Sequence, residues 1–223
     1  MINHLIFDLD KTVYSGNAKI CKEITRRIID YCAGFLGVDV SLAESERNKA
    51  LKNFNSTLAW LKSKGLSEQG VEEYFAAVHP KDEINDLPKD PGLRPLLESI
   101  KMPKVILTNS TREHAEYVLG HLGVRDLFME EIIDIRRNGF KGKPDGSAYE
   151  TALKIVGGTV ENTLFLDDWG IYVAGYASLG GIAVQVGSSP LPDNFLSLKG
   201  KVFQIKDIYG LPSLLEKING QKL

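Results

Sequence analysis

The chain has little of what marks a secreted, membrane-bound or nucleic-acid-binding protein. Among 223 residues there are two cysteines, Cys21 and Cys32. They share one helical stretch with neither CxxC nor framework spacing, so they read as ordinary thiols and not as a disulfide scaffold. Long hydrophobic runs are also missing. The opening MINHLIFDLD holds an apolar stretch only a few residues long, too short for a signal-peptide core or a membrane span, and a cytoplasmic location is the expectation. Charge of one sign is not in excess: 27 basic and 29 acidic residues leave a net charge of −2. No basic stripe follows a phosphate backbone, so a nucleic-acid polymer is not the expected partner. Histidine is scarce, and His4, His79, His114 and His121 form no metal-spaced cluster; His114 and His121 stand two turns apart on an apparent helix, beyond the i, i+4 spacing of a ligand pair. None adjoins a candidate catalytic motif in the sequence, and core or surface roles are expected for all four. Gly157-Gly158 and Gly180-Gly181 fit no dinucleotide-binding pattern.

What is present is a 43% hydrophobic composition, enough for a full core. Strand-sized apolar runs recur at Leu5 to Phe7, Val105 to Leu107, Leu164 to Leu166, Ile182 to Val186 and Val202 to Ile205. Between the later ones lie amphipathic stretches of helical length, Arg112 to Leu122 and Gly146 to Val156. This alternation predicts an α/β fold, a parallel sheet flanked by helices. The segment from Ser15 to Leu87 breaks the rhythm: Ile20, Ile24, Ile28 and Ile29, then Leu58, Leu61 and Leu66, recur at helical spacing. It reads as a helical insertion, punctuated by Gly16 and Gly65 and closed by the linker KDEINDLPKDPG.

Chemistry-bearing residues cluster at the ends of these runs. Asp8-Leu9-Asp10-Lys11-Thr12 places carboxylates at i and i+2 where the first strand ends. Ligands of open α/β sheets bind at that edge, although Asp and Thr also build turns and caps, and the string alone leaves both readings open. The run ending at Leu166 leads into a second pair, Asp167-Asp168. If these four carboxylates converge, mutual repulsion raises their pKa values unless a cation is present, and Mg²⁺ suits a site with few protein oxygens. Thr108-Asn109-Ser110 precedes a helix start, where hydroxyl, amide and backbone N–H groups suit a phosphate oxygen or simply cap the helix. Lys143, within Gly142-Lys143-Pro144, is either an ordinary solvated loop lysine or, if the carboxylates converge, a fixed positive charge for a dianionic phosphate beside the metal.

Taken together and in order, FDLDKT, TN, GKP and LDD resemble the four motifs of the haloacid dehalogenase-like superfamily. The resemblance covers essentially the whole chain, and FNSTLAWL, LPKDPGLRPLLESI and TNSTREHAEYVLGHLGVRDLF are similar to segments of its pyrimidine 5′-nucleotidase-like members. It implies a Rossmann-like core built from residues 1–14 and 88–223, with 15–87 as an inserted all-helical cap. It further implies a Mg²⁺-dependent phosphomonoesterase working through an aspartyl phosphate. Asp8 would be nucleophile and metal ligand. Asp10 would be the general acid/base, binding metal through its backbone carbonyl. Thr108 and Lys143 would hold the phosphate, with Asn109 beside them in substrate binding. Asp168 would ligate the metal directly and Asp167 through water. Small phosphates such as nucleoside 5′-monophosphates are the implied substrates; a phosphomutase returning the phosphoryl group to a sugar is the alternative. Members that cleave carbon–halogen bonds lack the second acid, which disfavours that activity here. Trp169 and Tyr172 depart from the pattern, standing where many relatives carry Ser and Asn. In the insertion, Asn53, Asn55 and Trp60 are candidates for reading the leaving group, with ordinary surface and packing roles as the alternative.

Overall fold

The apolar runs pair, without exception, in parallel. The computed structural model describes residues 1–137, 139–193 and 195–220; of the expected core segment 88–223, residues 138, 194 and 221–223 lie outside the described residues. Six strands, β1 (His4–Phe7), β2 (Lys104–Leu107), β3 (Ile132–Ile133), β4 (Thr163–Asp167), β5 (Ile182–Val186) and β6 (Lys201–Ile205), form one sheet in the order β3-β2-β1-β4-β5-β6. The expected Rossmann-like fold is therefore present. Strands β1, β2, β4 and β5 are buried along their lengths or nearly so, which is why they read as continuous apolar runs. β3 is two residues long and gives no run to recognise.

The chain divides into two compact units, residues 1–16 with 89–223, and residues 17–88. The sheet unit carries helices α5 (Leu93–Ser99), α6 (Arg112–Leu122), α7 (Gly146–Val156), α8 (Gly170–Ser178) and α9 (Leu211–Gly220). α7 and α8 bury Tyr149, Ala152, Val173 and Tyr176 against Ile6, Val105, Phe165 and Ala183, the side chains on one sheet face. Local signals set the helix ends. The Thr111 hydroxyl caps α6 and the Asp145 carboxylate caps α7, while Gly123 and Gly157 close the two helices in left-handed conformations.

Residues 17–88 are helical, as the 3.6-residue periodicity predicts: α1 (Lys19–Leu36), α2 (Val40–Ala50), α3 (Thr57–Ser63) and α4 (Glu68–Val78). Tyr31 meets the Tyr74 ring edge-on at 5.2 Å and donates to the Gly70 carbonyl, and Arg27 pairs with the buried Glu83 at 2.7 Å. Cys21 and Cys32 are buried thiols, and burial pushes Cys32 up to about 11, away from the reactive thiolate. Trp60 is 4% exposed, which assigns the indole to packing, whereas Asn53 and Asn55 are exposed. Among the described residues no helix is long and apolar enough to cross a membrane.

The Phe165 ring is wholly buried on the central strand β4, 5.2 Å from Tyr149 and 5.3 Å from Tyr176. Phe165→Ala is expected to cost about 3–5 kcal/mol, the range for deleting a buried aromatic ring. Urea unfolding followed by circular dichroism measures it, and a loss below about 1 kcal/mol would remove this ring from the core's supports.

Candidate active site

Strand order reverses between β1 and β4, and the carboxyl ends of those strands are where an open α/β sheet leaves a crevice. Register brings the two acidic motifs to the same place. Phe7 pairs with Leu166, and the Asp8 N–H donates to the Leu166 carbonyl at 2.8 Å, so Asp8 and Asp167 emerge side by side. Both are buried. The next turn places Lys11 at a φ of 63° and returns Thr12, whose hydroxyl donates to Asp8 Oδ2 at 2.9 Å.

Lys143 lies between the two acids, 2% exposed, with Nζ 2.6 Å from Asp8 Oδ1 and 2.6 Å from Asp167 Oδ2. Its ammonium also faces the Phe165 and Tyr172 rings, at 5.6 and 5.3 Å from their centroids. Asn109, expected among the substrate-binding residues, has both ends of its amide engaged by the Lys143 backbone: Nδ2 donates to the carbonyl at 2.9 Å, and Oδ1 accepts the N–H at 2.8 Å. Gly142 is required for this approach, because a Cβ there would lie 2.3 Å from Asn109 Oδ1. Thr108 is buried at the end of β2, its hydroxyl oxygen accepting the Ser110 N–H at 3.0 Å. The cap of α6 is Thr111, so the helix-capping alternative for Thr108-Asn109-Ser110 is not what these residues do.

The second acidic loop is braced by its own backbone and by Ser189. Both Asp167 oxygens are engaged: Oδ1 accepts from the Trp169 N–H at 2.8 Å and Oδ2 from Lys143. The Asp168 carboxylate accepts no hydrogen bond among the described residues, while its backbone carbonyl takes the Ser189 hydroxyl at 2.5 Å. Ser189 also accepts from Gly170 N–H at 2.9 Å and from Gln185 Nε2 at 2.7 Å. Tyr172 is buried, lies 4.9 Å from Trp169 ring to ring and presents its face to Lys143. Neither Ser189 nor Gln185 belongs to a recognisable motif, and the sequence carries no signal for them.

Asp10 sits at the half-exposed mouth of the site, and here one expectation is corrected. His114, read from sequence as a core or surface histidine apart from any catalytic motif, has Nε2 2.7 Å from Asp10 Oδ1. Its imidazole is wholly buried on the first turn of α6. The clue was its place three residues after Thr111, but 104 residues separate it from Asp10 and only the fold closes that distance.

Electrostatically, the cluster has too many carboxylates for one lysine. Burial raises Asp8 despite Lys143, with Asp10 adding to the rise, and lifts Asp167 well above the carboxylate range. Asp168 is pushed up to about 7 by burial and by the charge of Asp8. Burial works against the Lys143 charge as well, yet Asp167 and Asp8 overcome it and hold the ammonium above its ordinary value. One oxygen each from Asp8, Asp167 and Asp168 lies within 4.8 Å of the others. Hard donors with excess negative charge fit a divalent cation, and this cluster can bind one.

A family model for haloacid dehalogenase-like hydrolases matches residues 2–173. The chain belongs to this family. Solved haloacid dehalogenase-like structures share the fold over nearly their whole lengths. A β-phosphoglucomutase from Clostridium difficile is 23% identical with a TM-score of 0.66, over 99% of this chain and 98% of that one. A haloacid dehalogenase-like hydrolase from Streptococcus pneumoniae is 18% identical with a TM-score of 0.63, over 96% and 98%. The L-2-haloacid dehalogenase from Xanthobacter autotrophicus is 17% identical with a TM-score of 0.59, over 97% and 99%. A comparison with curated protein sequences gives no match. By family, the chain is an enzyme of haloacid dehalogenase-like hydrolase type.

The raised carboxylates predict a pH dependence of the metal-free protein. A carboxylate with a raised native pKa binds its proton more tightly when folded, so stability is lost as pH climbs from the ordinary 3.8 through about 7 for Asp168. Lys143, raised above 10.5, contributes fully throughout that window and does not alter the slope. In EDTA, Tm should fall between about pH 4 and about pH 7, and Asp168→Asn or added Mg²⁺ should flatten the fall. Equal slopes for the wild type and Asp168→Asn would separate Asp168 from this linkage.

Proposed function

We propose that this haloacid dehalogenase-like hydrolase is a Mg²⁺-dependent phosphomonoesterase of small phosphate esters, with nucleoside 5′-monophosphates the leading class. The observation that carries the reading is a second carboxyl, Asp10, held at the mouth of the same crevice as Asp8 by Tyr14, Ser110 and His114. Displacement of halide needs no proton donor. Departure of an alkoxide from phosphorus does, and a carboxyl fixed beside the nucleophile supplies one.

In the proposed reaction an Asp8 carboxylate oxygen attacks phosphorus as the ester P–O bond breaks, and Asp10 gives its proton to the departing oxygen. Asp10 then takes a proton from water, which attacks the same phosphorus and releases inorganic phosphate with the Asp8 carboxylate restored. Lys143 holds its charge beside Asp8 and offsets part of the negative charge that a phosphate brings. Mg²⁺, held by Asp8, Asp168, the Asp10 carbonyl and, through water, Asp167, would supply Lewis-acid charge neutralisation at the phosphoryl oxygens. The open carboxylate of Asp168 and the engagement of both Asp167 oxygens by Lys143 and the Trp169 N–H support that division between direct and water-mediated ligation.

Phosphate release across nucleotides, sugar phosphates and p-nitrophenyl phosphate, with Mg²⁺ and with EDTA, tests this reading. EDTA is expected to abolish turnover, and Asp8→Asn to lower kcat by at least ~10³ while leaving the fold intact. Near-normal turnover by Asp8→Asn would require another nucleophile. Conversion of a sugar monophosphate to its isomer without phosphate release would instead favour a mutase.

A further inference from the structure

The Asp10 carboxyl is not left to its own rotamer preferences. Tyr14 donates its hydroxyl to Oδ1 at 2.5 Å, His114 Nε2 lies 2.7 Å from that same oxygen, and the Ser110 hydroxyl donates to Oδ2 at 3.2 Å. These partners come from three places in the chain. Tyr14 follows on the β1 loop, Ser110 belongs to the β2–α6 connection, and His114 stands on α6 itself.

Of the three, His114 is the one anchored most firmly to the scaffold. Its imidazole is fully buried, and its backbone N–H donates to the Thr111 cap hydroxyl at 3.3 Å. Its position therefore follows that of α6, which leaves β2 next to β1 in the sheet. An aspartate side chain, with three staggered χ1 wells and a broad χ2, samples several orientations unless partners select one. Two groups converging on one oxygen from different directions do that.

We infer that His114 is a positioning residue for the proposed phosphomonoesterase reaction, fixing the Asp10 carboxyl in the orientation from which it meets the leaving-group oxygen. The inference rests on the phosphomonoesterase reading. With the hydrogen on Nε2, the imidazole donates to Oδ1 whether Oδ2 carries the transferred proton or not, so the support persists through both proton transfers. A misplacement of about 1 Å in a reacting group is enough to cost ~10²-fold in rate, which sets the scale for losing such a support.

The experiment compares kcat/KM for an alkyl phosphate and p-nitrophenyl phosphate in the wild type, His114→Ala, His114→Gln, Tyr14→Phe and Asp10→Asn. This ratio reports steps up to the first phosphoryl transfer, where only the alkoxide depends on protonation. His114→Ala should lose ~10–10²-fold on the alkyl ester and at least ~10-fold less on the aryl ester. His114→Gln, whose amide nitrogen can donate from near the Nε2 position, should regain most of that loss. In an Asp10→Asn background, His114→Ala should cost nothing further. Tyr14→Phe deletes one hydroxyl from the same oxygen and should repeat the leaving-group signature in a milder form, which keeps the test open if His114→Ala does not fold.

Equal losses on both esters, no recovery with Gln, or a full additional loss in the Asp10→Asn background would overturn the positioning role while leaving the phosphatase reading intact. A wild-type protein that releases phosphate from neither ester under Mg²⁺ would instead overturn that reading, and the inference with it.

Discussion

Much of the molecule is arranged around one buried ammonium. Lys143 Nζ lies at 2.6 Å from two carboxylates that are themselves out of water. Desolvating any of these charges alone would cost several kcal/mol, so the cluster persists only while its geometry holds. The sheet supplies the acids by placing the ends of β1 and β4 in register. The lysine arrives on a separate loop, clamped through its backbone to Asn109 at the end of β2. Three strand ends are thus tied together by one residue, two through its ammonium and one through its backbone, and the close approach at Gly142 is part of the same constraint.

Charge imbalance gives the cluster its chemical character. One ammonium cannot neutralise Asp8, Asp167 and Asp168, and the pKa values of all three are displaced upward, burial being the largest cause. A hard cation resolves the imbalance, and so does protonation. The site is therefore built at the expense of the metal-free protein's stability, as is common where like charges are gathered for function. Tyr172 contributes within this arrangement in a way an amide would not, since its ring face attracts the ammonium.

Asp10 belongs to a second, more open network. Its partners reach it from a loop and from the first turn of α6, and they tie a half-exposed carboxyl to the same frame that fixes Asp8. Two acids two residues apart consequently meet different surroundings, one enclosed with Lys143 and Thr12, the other bordered by hydroxyls and an imidazole. Division of labour between nearby carboxyls commonly depends on such differences of environment.

The sequence by itself determined the α/β class, the helical insertion and the four motif positions. Apolar runs buried on both faces, helical periodicity and acids at strand ends are local signals that survive without a structure. The pairing of Asp8 with Asp167 through Lys143, the engagement of Asn109 with the lysine backbone, the bracing of Asp168 by Ser189 and the reach of His114 to Asp10 were decided only by tertiary structure. Each joins residues from different parts of the chain, across 104 positions for His114 and 135 for Lys143 with Asp8. Composition and periodicity report which side chains are available; the parallel register and the direction of α6 decide which of them come within hydrogen-bonding distance.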